Sequence, residues 1–205
     1  MLTLYLVRHG ETQYNADGRF QGVTDVPLNE LGRKQAAAVG ERFKSMNFDV
    51  IYSSDLQRAQ ETAKAISAHH QKEIILDQRL REIDFGSWEG LFFREVFVSQ
   101  REVWERWRAE FDFAPERAET LQTTVDKADS MLAHIREHHE DQTVVCVGHG
   151  GTLRVMVCRL LGIPPQNRWQ LQFDNTSVSE VWFREGIPFL RHLNDVAHLN
   201  GLNEA

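Results

Sequence analysis

Two histidines in this chain stand at the ends of short apolar runs. Leu4-Tyr5-Leu6-Val7 leads into Arg8-His9-Gly10-Glu11-Thr12, and Thr143-Val144-Val145-Cys146-Val147 leads into Gly148-His149-Gly150-Gly151. Such runs read as buried parallel strands, and the carboxyl edge of a parallel sheet is where α/β proteins bind ligands. A neutral imidazole is a competent nucleophile toward phosphorus and gives a covalent phosphohistidine. An arginine beside it offers a planar fork matched to phosphate oxygens. His149 would stand just before a helix whose first amides favour anions, with Gly150 and Gly151 letting the backbone approach closely. Arg8, His9 and His149 on one sheet edge predict a cationic pocket for phosphoryl transfer. That chemistry needs an in-line nucleophile, cations around the equatorial oxygens and a proton donor for the leaving oxygen.

The elements that must position these residues are legible in outline. Asn29 caps a helix that runs to about Phe43. Residues 49–53 predict a strand, Leu56 to His70 a helix with Ala59, Ala63 and Ile66 on its apolar face, and residues 73–76 a third strand. This β-α-β-α-β order is a doubly wound beginning. Thr120 to His138 predicts a helix burying Leu121, Val125, Ala128, Leu132 and Ile135; a strand at 143–147 and a helix at 151–161, stopped by Gly162 and Pro164-Pro165, follow. Alternation from Trp169 to Leu193 suggests edge strands or a hairpin around Gly186. The expected architecture is a three-layer α/β/α sandwich with a mostly parallel sheet, one domain over residues 1–205. Ser87 to Glu119 breaks the alternation and holds Trp88, Phe92, Phe93, Phe97, Trp104, Trp107, Phe111 and Phe113. We read it as a mostly helical cap (about 87–119) over the carboxyl edge. Most of its aromatics should pack it onto the body, with Phe92 and Phe93 expected to line the pocket.

Composition narrows the classes. The chain has 205 residues, 41% of them hydrophobic, enough for a substantial core, and no stretch long and apolar enough to span a membrane. A net charge of −7 argues against a nucleic-acid surface, so any anion site must be a local arrangement of cations. The start shows neither a basic n-region nor a cleavage site, and Cys146 and Cys158 lie in apolar settings as reduced core thiols; a cytoplasmic location is the expectation. His69-His70 and His138-His139 fall near helix C-termini, where capping surface histidines are expected and metal ligands are not.

Dispersed motifs then point to one family. Leu6-Val7-Arg8-His9-Gly10-Glu11-Thr12 resembles the signature of the histidine phosphatase superfamily, which includes cofactor-dependent phosphoglycerate mutases. Asn15, Gly18-Arg19-Phe20-Gln21-Gly22 and Asp25-Val26-Pro27-Leu28 are similar to its phosphate-side loop. Tyr52 to Ala63 is similar to the motif carrying the phosphoryl-binding arginine, here Arg58, and Leu80 to Gly90 to the segment carrying the acid, here Glu82. Val147 to Gly151 resembles the second-histidine motif, while Asn175-Thr176-Ser177-Val178, Asn194-Asp195 and His198-Leu199 resemble the C-terminal region.

The resemblance implies His9 as nucleophile, Arg8, Arg58 and His149 as ligands of the phosphoryl oxygens, Glu82 as acid and then base, and Asn15, Gln21, Gly22 and Gly150 on the substrate. Glu11, Asp25, Asp84 and Glu89 would be supporting residues. To donate a proton near neutral pH, Glu82 needs shielding from water, which the cap would supply. The segment around Glu82 is similar to the phosphatase branch, notably α-ribazole and broad-specificity phosphatases. It implies a metal-independent phosphomonoesterase acting on a small phosphate ester, with no cofactor, nucleic-acid or membrane partner, and with a homodimer as the assembly considered. A phosphoglycerate mutase and a non-catalytic phospho-ligand binding module are the alternatives, the second disfavoured by the presence of both His9 and Glu82. One departure stands out. Where the branch carries Pro-Gly-Gly-Glu-Ser, this chain has Pro115-Glu116-Arg117-Ala118-Glu119-Thr120. Its Glu-Thr end can still cap the following helix, and Arg117 reads as a solvated loop charge rather than a substrate contact.

Overall fold

The computed structural model describes residues 1–202. Its elements run β1 (Thr3–Arg8), α1 (Gln13–Asp17), α2 (Glu30–Phe43), β2 (Val50–Ser53), α3 (Gln57–Ser67), β3 (Ile74–Leu76), α4 (Phe93–Ser99), α5 (Arg101–Ala109), α6 (Leu121–His138), β4 (Thr143–Gly148), α7 (Gly150–Leu161), β5 (Val178–Arg184) and β6 (Ile187–Asp195). The six strands form one sheet in the order β3-β2-β4-β1-β5-β6. β1, β2, β3 and β4 pair in parallel, and the β5–β6 hairpin adds antiparallel to the β1 edge. The expected mostly parallel α/β sheet is therefore present, with the hairpin turning at Gly186.

Strand alternation decides which helices cover which face. Leu4 and Leu6 of β1, with Val144 and Cys146 of β4, pack under α6 and α7. Val7, Val145 and Val147 face the other way, against Val39 and Phe43 of α2 and Ala59, Ala63 and Ile66 of α3. Because both faces are covered, these strands are apolar throughout, the pattern that made them readable. A third cluster, built on Phe20, Ile83, Phe85, Trp88, Val96 and Trp107, holds α4 and α5 onto the carboxyl edge. Among the described residues no helix is long and apolar enough to cross a membrane.

The structure adds α1 where the sequence patterning predicts a loop. Its signal was present: Thr12 caps the helix by accepting from the Asn15 amide, Asn15 returns the bond to the Thr12 amide, and Gly18 ends it at φ 72°. Two expectations need correction. His139 is not a surface cap. It is buried, with Nε2 2.8 Å from the Tyr52 hydroxyl and Nδ1 2.6 Å from Gln142 Oε1. Phe92 is absent from the lining of the cavity around His9, which Phe93 does line; the Arg19 guanidinium lies 3.9 Å over the Phe92 ring. Thr120 caps α6 as expected, and Arg117 is an exposed loop charge paired with Glu116. It sits at φ 62°, left-handed backbone that favours glycine.

The turn after β1 is wedged against the first turn of α2. A Cβ on Gly32 would stand 2.0 Å from the Glu11 carbonyl oxygen, and one on Gly10 2.5 Å from the Gly32 carbonyl oxygen. Neither backbone can yield without moving the other. Gly32→Ala is expected to cost about 1–3 kcal/mol of stability, the usual range for overpacking, and to lower activity by displacing residues 9–11. Urea unfolding beside steady-state kinetics checks this; an unchanged midpoint would contradict the close-packing argument.

Candidate active site

The register of the sheet brings the two histidines together. Arg8 pairs with Gly148 across the parallel β1–β4 ladder, so the next residue on each strand leaves the sheet at the same point. The His9 and His149 rings stand 4.9 Å apart, centre to centre. The His9 backbone is fixed by donation to the Gly148 carbonyl at 3.0 Å, and its own carbonyl accepts from Thr176 at 3.2 Å and Asn175 Nδ2 at 3.1 Å. Its ring Nδ1 lies 2.6 Å from the Gly10 carbonyl. A carbonyl can only accept, so Nδ1 carries the proton and Nε2 keeps its lone pair.

Around His9 is a cavity of about 270 Å³ whose lining includes Arg8, Asn15, Gln21, Gly22, Arg58, Glu82 and Gly150. Eight of the nine residues assigned from sequence thus share one cavity. His149 is the ninth, fully buried and behind the lining. Arg58 Nε donates to its Nδ1 at 3.1 Å, which leaves Nε2 protonated and facing the Ser54 hydroxyl at 2.9 Å. Arg58 also donates to the carbonyls of Gly22 at 2.7 Å and Thr24 at 3.0 Å.

The supporting carboxylates explain why that loop holds still. Glu89 accepts from the amides of Val23 and Thr24, each at 2.8 Å, and its side chain fills the space a Cβ on Gly22 would take. Gly22 is further required by its φ of 55°. Asp25 accepts from the Gln57 amide at 2.8 Å at the start of α3, the helix that carries Arg58.

Glu82 is placed differently from the sequence expectation. The amides at the start of α7, expected to favour a bound phosphate, donate instead to its carboxylate, Gly151 at 3.1 Å and Thr152 at 3.1 Å. The Ile83 amide adds a third bond at 3.0 Å. A carboxylate belongs at a helix N-terminus for the same reason a phosphate does. Gly151 is glycine because a Cβ there would lie 2.5 Å from Glu82 Oε1. Flanking bonds hold the segment: Arg81 grips Asp55 through two contacts of 2.6 Å, and the Thr152 hydroxyl donates to the Arg81 carbonyl at 2.6 Å.

Burial among cations sets the electrostatics. Desolvation, then Arg58 and Arg8, hold His9 well below its ordinary 6.5. His149 is held down by burial, then by Arg58, His9 and Arg8. Arg8 and Arg58 are each lowered to about 10, chiefly by burial, and stay charged at neutral pH. Arg8 Nη1 donates to the Phe173 carbonyl at 2.7 Å, while its buried Nε–H has no acceptor among the described residues. The arrangement is a neutral imidazole in a cavity lined by two desolvated guanidinium groups, one of them with an unsatisfied Nε–H, and by a carboxyl group.

The family model of the histidine phosphatase superfamily (branch 1) matches residues 4–196. The chain belongs to this superfamily. It is 36% identical to phosphoserine phosphatase 1 of Hydrogenobacter thermophilus, over 97% of this chain and 95% of that one. A Citrobacter koseri protein named "probable phosphoglycerate mutase" is 35% identical over 98% of this chain and 96% of its own. Among solved structures, the α-ribazole phosphatase of Shigella flexneri superimposes with a TM-score of 0.85 at 29% identity, covering 94% of this chain and 96% of that one.

The superfamily site carries further lining residues that the sequence reading missed: Arg154 of α7, Arg108 of α5, Arg19, Trp104 and Trp169. A signal for Arg154 existed. It is a lone cation in the first half of an apolar helix, four residues from Gly150 and so on the same face. Arg19 falls in the segment similar to the phosphate-side loop, Trp104 and Arg108 in the cap, whose aromatics are expected mainly to pack, and Trp169 at the start of the alternating C-terminal stretch.

The depressed histidines make a pH prediction. The unfolded chain takes up protons near 6.5, whereas folded His9 and His149 do so only well below it. Their contribution to stability is therefore present above the unfolded value and lost as pH falls. An NMR titration should show both rings neutral through pH 6.5, and Arg58→Met should move both midpoints upward. A wild-type His9 midpoint near 6.5 would contradict the electrostatic reading.

Proposed function

We propose that this protein is a metal-independent phosphomonoesterase, working in the cytoplasm on small phosphate esters through a phosphohistidine at His9. The observation that carries the reading is the unprotonated His9 Nε2 at the cavity, with Arg8, Arg58 and Glu82 on the same lining. In the first step Nε2 attacks phosphorus, the bond from phosphorus to the ester oxygen breaks, and protonated Glu82 gives that oxygen its proton. The ring becomes cationic, and the Gly10 carbonyl facing Nδ1–H stabilises it. Arg8 and Arg58 hold the equatorial oxygens and supply charge that other phosphoryl-transfer sites take from a metal ion. His149 keeps Arg58 Nε aligned and packs its ring against His9. In the second step water attacks phosphorus, Glu82 accepts its proton, and the phosphorus–nitrogen bond breaks. Inorganic phosphate leaves and neutral His9 is restored.

The alternative, a phosphoglycerate mutase, shares the first step and differs in what takes the phosphoryl group. A mutase must keep water out. Here Phe93 and Phe97, which line the cavity, are 39% and 41% exposed, so its mouth opens to solvent and hydrolysis is favoured.

Brief incubation with labelled substrate in chelator-containing buffer should leave acid-labile, base-stable label on the wild type. His9→Ala should carry none and lose at least about a thousandfold in turnover, as removal of a covalent nucleophile does. Label on the alanine variant would sink the assignment. Bisphosphate-dependent interconversion of 2- and 3-phosphoglycerate faster than phosphate release would select the mutase instead.

Glu82 is checked through the leaving group. An alkyl alcohol needs protonation and a nitrophenolate needs little, so Glu82→Gln should slow phosphorylation of His9 by alkyl esters far more than by nitrophenyl phosphate in single-turnover measurements. Equal losses on both would argue against the acid role.

A further inference from the structure

The cavity has a one-sided balance of charge. Arg8, Arg19, Arg58, Arg108 and Arg154 line it, and Glu82 is its one carboxylate. A phosphate dianion, even with Glu82 ionised, leaves cationic charge uncompensated. Arg154 and Arg108 are the groups left to carry it. Arg154 is half-buried, spends Nε on the Leu171 carbonyl at 2.7 Å, and has no carboxylate within ion-pair distance among the described residues. Its guanidinium lies 5.4 Å from the centre of the Trp169 ring. Arg108 reaches the same region from the cap. Its carbonyl accepts from Arg168 at 3.3 Å, and its ion-pair partner Glu105 is distant at 3.7 Å and 53% exposed, a contact that solvent screens.

A second observation points to a ligand at this place. The indole N–H of Trp169 is shielded from solvent and has no acceptor among the described residues, although buried donors are almost always paired. The Trp169 ring lines the cavity, with Trp104 at 5.7 Å and Phe93 and Phe97 completing an aromatic wall. Two guanidinium groups and flat apolar surface thus line one cavity, with Arg154 Nη1 close to Arg8 Nε: a Cβ on Gly150 would lie 3.0 Å from the first and 3.4 Å from the second.

We propose, resting on the phosphatase reading above, that the preferred substrate is a phosphate monoester whose leaving group joins a planar apolar body to a carboxylate and carries no ammonium group. The aromatic wall takes the body, and Arg108, Arg154 and the Trp169 N–H take the carboxylate. An amino-acid ester such as phosphoserine suits the cavity less well. Its ammonium group would enter a space whose one carboxylate, Glu82, already accepts three backbone N–H bonds. A neutral aryl ester fills the wall but leaves the two cations without an anion.

The test compares kcat/KM for 4-carboxyphenyl phosphate, its neutral isostere 4-carbamoylphenyl phosphate, and O-phosphoserine, with the wild-type protein. The isostere keeps ring size and leaving-group acidity close, so the comparison reads the charge. The carboxylate should favour the first ester by about tenfold, the scale of one charge-assisted contact, with phosphoserine slowest. Arg154→Gln and Arg108→Gln should each shrink the carboxyl-to-carbamoyl ratio toward one, mainly through KM, because the contact persists from ground state to transition state. Equal kcat/KM for the two aryl esters, or a preference for phosphoserine, would overturn the proposed substrate class and leave the phosphatase reading standing. No phosphate release from any of the three would overturn both.

Discussion

The constraint on which the rest of the structure depends is the parallel pairing of β1 with β4, with Arg8 opposite Gly148. A shift by one residue would turn every side chain of β1 to the opposite face, exchanging Leu4 and Leu6 for Tyr5 and Val7 beneath α6 and α7. The hydrophobic demand of two covered faces therefore sets the register. The register in turn puts the first residue beyond each strand at one place. His9 and His149 meet because of core packing many residues away, and the ligand edge of an α/β sheet becomes a catalytic edge by that route.

That placement has an electrostatic cost, and the fold meets it with backbone carbonyls rather than with acids. Arg8 and Arg58 are both desolvated, and neither forms an ion pair among the described residues. Their N–H groups go to Phe173, Gly22 and Thr24 carbonyls and to a histidine nitrogen. Carbonyls satisfy hydrogen bonds without cancelling charge, so the site keeps its attraction for an anion in a protein of net charge −7. The carboxylates of this region are used one step away. Glu89 braces the loop that faces Arg58, Asp25 holds the start of α3, and Asp55 holds Arg81 next to Glu82. The same field keeps His9 neutral, which is the protonation state a nucleophile needs.

The cap sets what may be bound. Trp88 and Trp107 are spent on anchoring it and are fully buried, whereas Phe93, Phe97 and Trp104 remain at the cavity. Arg168 ties the two halves together. It is buried with its guanidinium 5.1 Å from the Trp107 ring and 5.0 Å from the Trp169 ring, and it bonds the Arg108 carbonyl. This part of the cavity is thus built from three separate segments joined by cation–π contacts.

By itself the sequence determined the strands, the helices and the two strand-end histidines, because each of these rests on a local rule. A strand covered on both faces must be apolar throughout, a helix must show its period and its cap, and a backbone that approaches closely must be glycine. His9 was legible on those terms and as a family motif, and Arg58, Glu82 and Gly22 as family motifs alone. Tertiary structure alone decided how polar groups were shared out between distant segments. It gave the first amides of α7 to Glu82, enclosed His149 behind Arg58, turned Phe92 toward Arg19 while Phe93 met the cavity, and buried His139 against Tyr52. It also brought Arg108, Arg154 and Trp169 together. No periodicity encodes such meetings. A hydrogen bond or a cation–π contact depends on where two segments far apart in the chain come to rest, and that is fixed only when the core has packed.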